Sequence, residues 1–98
     1  MKKFQLFEIV AVLSAINLVG LSTEGKITIA KNISALKKEC RELEELRDNL
    51  RGDIEAITGL FSEPAEVEII KLSEADKNNL IEGFSGNAGA LASLLEVL

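Results

Sequence analysis

From Ala30 to Phe61 the chain carries apolar residues at alternating intervals of three and four, and this ladder constrains its fold more than any other feature. With Ile33 at heptad position a, the a and d positions are Ile33, Leu36, Cys40, Leu43, Arg47, Leu50, Ile54, Ile57 and Phe61. Eight of these nine are apolar, and that spacing puts them on one face of an α-helix. Lys38 and Glu42, Arg41 and Glu45, and Arg51 and Glu55 stand four apart elsewhere on the surface, where ion pairs between turns support a helix. The spacing predicts one amphipathic helix over 30–61, roughly 45 Å long at about 1.5 Å per residue. Gly52 and Gly59 fall at the outer f position, lowering helix propensity but leaving the seam intact.

A face of that length needs cover, and the N-terminal stretch is its nearest source. In "FQLFEIVAVLSAINLVGL", Phe4 to Leu21, the only formal charge is Glu8. Eighteen such residues reach about 27 Å as a helix, close to the hydrocarbon thickness of a bilayer. A membrane anchor is therefore one alternative, and a secretory signal, with Lys2 and Lys3 as its charged start, is another. Glu8 opposes both, because a carboxylate inside a single span costs about 2.5–3.5 kcal/mol and would have no partner there. Gln5, Ser14 and Asn17 add further polar groups. The favoured expectation is an apolar helix over 4–21 packed on the long helix of a cytoplasmic protein, with membrane-anchored or secreted forms as alternatives. Apolar around most of its circumference, such a helix must be covered on several sides. A chain of 98 residues covers only part of it, which predicts a homo-oligomer.

Turn chemistry divides the rest. "GLSTEGK", residues 20–26, ends the apolar run, and "KITIA" after it reads as a short strand or as the lead-in to a helix. Pro64 ends the long helix. Residues 66–72 alternate Val67 and Ile69 with acids, predicting a short strand that pairs with "KITIA". Ser73 as N-cap, with Asp76 three residues on in the acidic place of a capping box and Gly83 as terminator, predicts a helix over 74–83. A last short helix covers 87–97. The fold class expected is mainly α: a single domain over 1–98, with one long amphipathic helix packed on an apolar N-terminal helix, and two short strands at most.

The chemistry is sparse. There is no histidine, which removes the commonest general base and transition-metal ligand, and only one cysteine, which excludes an intrachain disulfide and suits a reducing compartment. Cys40 lies in the seam with no base to activate it, and reads as a buried structural thiol. Arg47, the one seam charge, reads as a snorkelling side chain or an ion pair with an acid of an adjacent helix that fixes register, or else as an anion-binding group. Glu42, Glu44, Glu45 and Asp48 read as a solvated face, and Gly83, Gly86 and Gly89 as a turn lacking the lysine of a phosphate loop. The net charge of −5 falls entirely within 63–98, so nucleic acid is not an expected partner. No catalytic, cofactor-binding or metal residue is assigned.

These readings converge on a non-enzymatic, self-associating protein-interaction module, a regulator, inhibitor or assembly subunit, that binds itself and through the same seam another protein. The alternatives are a membrane-anchored accessory protein and a small anionic-ligand binder at an oligomer interface. In a parallel zipper Glu39 at g would meet Glu44 at e of the other strand, which favours packing on the chain's own first helix, with or without an antiparallel partner.

Overall fold

The computed structural model describes residues 1–84 and 88–98. Five helices occur among them: α1 (Gln5–Ser14), α2 (Thr23–Asn49), α3 (Ile54–Ser62), α4 (Glu74–Gly83) and α5 (Ala88–Val97). The fold is mainly α, as the sequence predicts. Among the described residues no strand forms, and the only bridge is an isolated antiparallel contact between Lys2 and Pro64.

The N-terminal helix is shorter than expected, ending at Ser14 rather than Leu21. Beyond it the backbone turns: Ala15 N–H donates to the Val12 carbonyl, and Leu21 N–H to that of Leu18. The Asn17 side chain accepts from Val19 N–H at 3.0 Å, an alternative to helical bonding that asparagine supplies. Leu6, Ile9 and Leu13 form the buried face of α1, while Glu8 is exposed. Among the described residues no helix is long and apolar enough to cross a membrane.

The second helix starts earlier and stops earlier than the ladder implies. Ser22 caps it by accepting from Gly25 N–H at 3.0 Å, so "KITIA" lies inside α2. Ile29 is buried and Ile27 half-exposed, because two residues apart are on different sides of a helix. At its other end α2 stops at Asn49, and the single helix expected over 30–61 is two. Arg51 (φ 53°) and Gly52 (φ 81°) take left-handed conformations, and Asp53 caps α3 by accepting from Ala56 N–H at 3.1 Å. Glycine followed by a capping aspartate makes a local stop and start that outweighs the heptad phase.

With "KITIA" helical, the strand expected over 66–72 has no partner strand. Residues 65–72 run without regular secondary structure, yet the alternation survives: Val67 and Ile69 pack on the core and Glu66 and Glu68 face solvent. The Asn32 side chain stands in for the missing strand, donating to the Ile70 carbonyl at 2.9 Å and accepting from Ile70 N–H at 2.8 Å. Ser73 caps α4 as expected. The last helix, expected from residue 87, is described from Ala88; residue 87 lies outside the described residues.

The core joins Leu6, Ile9 and Leu13 of α1 to Ile29, Leu36, Cys40 and Leu43 of α2, with Leu72, Leu80, Leu94 and Leu98 completing it. Packed against both α2 and α5, α1 is the central element. At about 1.5 Å per residue α2 accounts for most of the molecule's 44 Å length.

Candidate functional site

The nine seam residues part into three sets. Leu36, Cys40 and Leu43 are buried, and Ile33 is half-buried against them. Phe61, at the far end, packs on the core and meets Phe7 with ring centroids 5.9 Å apart. Between these ends Arg47 is exposed, Leu50 and Ile57 are half-exposed outside the core cluster, and Ile54 is 79% exposed. Leu46, one turn before Leu50, is also exposed.

The cause lies in lengths and directions. The ten-residue α1 covers α2 only as far as Leu43, and every residue from Glu44 to Asn49 is exposed. Nor is α3 packed along α2; it is held at its C-terminal end, against the start of the chain. Phe4 N–H donates to the Phe61 carbonyl at 3.1 Å, Lys3 N–H to the Glu63 carbonyl at 2.9 Å, and the Lys3 ammonium pairs with Glu63 at 3.2 Å. The α2–α3 turn therefore presents Leu46 and Ile54 to solvent and leaves Leu50 and Ile57 half-buried. Two exposed aliphatic side chains with two half-buried ones beside them make an apolar surface that the chain itself leaves partly uncovered.

The charges around them are single. Among the described residues the ion pairs are Lys3–Glu63 and a loose Arg47–Asp48 contact at 3.7 Å. The pairs expected at Lys38–Glu42, Arg41–Glu45 and Arg51–Glu55 are not closed, since at exposed positions the ordering of two long side chains offsets the Coulomb attraction. Arg47 likewise reaches no acid of an adjacent helix; its partner is its neighbour in α2.

Beside the seam, Phe7, Val10 and Cys40 line an open apolar groove of about 290 Å³ with Lys37, Arg41 and Glu44 at its rim. Burial pushes the Cys40 thiol up from its usual range, and Glu44 and Glu39 push it further. A neutral thiol without a base is a packing group. No cluster of three or more His, Cys, Asp or Glu able to hold a metal ion occurs among the described residues. Of the glycine stretch, Gly86 lies outside the described residues.

Two buried polar residues escape the sequence reading of function, and both are structural. Asp76 is expected to close a capping box and instead joins two helix starts. Asn32 interrupts an otherwise apolar face three residues after Ile29 and four before Leu36, and that placement was its signal. What fold and surface define together is a small α-helical protein with a patch of aliphatic side chains only partly covered by the chain itself. No family model, curated protein or solved structure matches it.

Proposed function

We propose that the chain is a non-enzymatic, self-associating protein-interaction module of the cytoplasm, acting as a regulator, inhibitor or assembly subunit. The observation that carries this reading is the exposure of Ile54, with Leu50 and Ile57 half-buried beside it and Leu46 exposed on the flank, where the seam of α2 runs past the point that its own chain covers. Withdrawing the exposed surface of these side chains from water favours association, at about 25 cal/mol per Å² of apolar area. A thiol that is free and neutral suits a reducing compartment.

Size-exclusion chromatography with light scattering on the full chain tests it. The expected result is a concentration-dependent oligomer that Ile54→Asp converts to a folded monomer. A wild-type chain monomeric up to millimolar concentration overturns self-association.

A further inference from the structure

The α2–α3 turn combines three properties. Arg51, directly after the C-cap Leu50, takes the left-handed conformation (φ 53°) that ends many helices, but it carries a Cβ where glycine is the usual residue. The heptad phase runs through the turn unbroken, with Arg47, Leu50, Ile54, Ile57 and Phe61 at intervals of three, four, three and four. The residues nearest the turn, Leu50, Ile54 and Ile57, are the seam residues that the closed chain leaves off its core. Two independent helices have no reason to share a phase, whereas one interrupted helix keeps it.

We infer that the occupant of this surface is a second copy of the chain, bound by exchange of halves: the turn at 50–53 straightens, α2 and α3 become one helix, and residues 54–98 pack on residues 1–49 of the other copy. This rests on the self-association reading and specifies its geometry. Four of the contacts that the exchange would carry over already exist within one chain. Phe7 with Phe61, Lys3 with Glu63, Asn32 with Ile70 and Ser22 with Asp76 all join the first half to the second, and each forms equally well between two chains. Exchange of like elements is a low-cost route to a dimer for this reason.

The open form adds contacts that the closed one lacks. With two straightened helices antiparallel and the two-fold axis at Gly52, a positions meet d positions: Leu50 faces the second copy's Ile54, and Leu43 faces its Phe61. The same register sets Arg47 opposite the second copy's Ile57, so the apolar cover that the open form adds is centred on Leu50 and Ile54. Straightening also releases Arg51 from its left-handed conformation.

Two hinge variants and one crosslink test this. A Cβ on Gly52 meets nothing within 4 Å, so Gly52→Ala acts through the backbone alone, disfavouring φ 81° and favouring helix. It is expected to raise the dimerisation constant about tenfold or more, since both chains straighten, and Arg51→Gly to lower it. Lys3→Cys with Glu63→Cys, at exposed positions already joined by a backbone hydrogen bond, then reports connectivity, with each single cysteine variant as control. Oxidation of the isolated Gly52→Ala dimer is expected to give covalent dimers. A dimer whose Lys3→Cys–Glu63→Cys bridge stays within each chain, with both hinge variants leaving the dimerisation constant unchanged, overturns the exchange while self-association through Ile54 stands. Absence of any dimer, in wild type and in Gly52→Ala, overturns both.

Discussion

Asp76 accepts two hydrogen bonds from Ser22, one from its backbone N–H at 2.8 Å and one from its hydroxyl at 2.7 Å, and so ties the start of α2 to the start of α4. The Ser73 hydroxyl, which caps α4, donates to the same carboxylate at 3.2 Å. Both serines accept from their own helices, Ser22 from Gly25 N–H and Ser73 from Asp76 N–H. One buried carboxylate thus serves two helix N-termini, where negative charge is favoured.

The first prediction concerns acid. The hydrogen bond from the Ser22 backbone, then that from its hydroxyl, hold the Asp76 carboxyl below its usual range; burial opposes them, and the Ser73 hydroxyl adds to them. A depressed folded value means that the unfolded chain takes up the proton first. The contribution is therefore complete above the unfolded value, about pH 4, and is lost as pH falls below it. Urea midpoints from pH 7 to pH 3 are expected to fall for the wild type, and the gap between wild type and Asp76→Asn to narrow with acidification. A constant gap would show that the charge is irrelevant.

Gly25 is a second test of the same junction. A Cβ there would stand 2.5 Å from one carboxylate oxygen of Asp76 and 2.7 Å from its Cγ. Gly25→Ala is expected to destabilise the protein by about 1–3 kcal/mol despite the better helix propensity of alanine. Gly59→Ala, whose added Cβ meets nothing within 4 Å in the exposed interior of α3, is expected to stabilise by about 0.5–1 kcal/mol. Thermal denaturation of the two variants should move in opposite directions.

Asn32 supplies both halves of a strand-like pairing to Ile70 from a side chain 1% exposed. Asn32→Leu removes both bonds and leaves the backbone of Ile70 unpaired, with an expected cost of about 1–3 kcal/mol. Amide hydrogen exchange at Ile70 should accelerate more than at Leu36, because the middle of the segment over 65–72 is held by this contact and by its alternating side chains, the other hydrogen bonds lying at Ala65 and Lys71.

Leu36 and Ile54 both lie on the heptad seam, at d and a, with opposite fates. Leu36→Ala, at a fully buried site, is expected to cost about 2–5 kcal/mol. Ile54→Ala is expected to change the stability of the monomer by no more than about 0.5 kcal/mol. Denaturant titration at a concentration below that of association measures both, and equal losses would show that Ile54 is part of the intrachain core.

The helical class was legible because the apolar spacing between Ile33 and Leu43 has the period of a helix and because Ser73 and Pro64 punctuate the chain without tertiary help. Element boundaries were less so. Phe4 to Leu21 is apolar enough to be one helix by composition, yet Asn17 bonds its own neighbourhood and the helix ends at Ser14. "KITIA" alternates as a strand does, but Ser22 caps a helix that runs through it.

The sequence by itself determined that Leu36, Cys40 and Leu43 would lie inward on a helix, that Ser73 would begin another, and that the chain would be mainly α. Periodicity and capping are properties of neighbours along the chain and need nothing beyond it. Only the tertiary structure decided that the seam is covered as far as Leu43 and only partly covered from Arg47 to Ile57. It alone decided that Asp76 serves Ser22, 54 positions away, and that Asn32 replaces a strand for Ile70. Whether a side chain is buried depends on which other element lies over it, and a period repeated along one helix carries no record of where its neighbour ends.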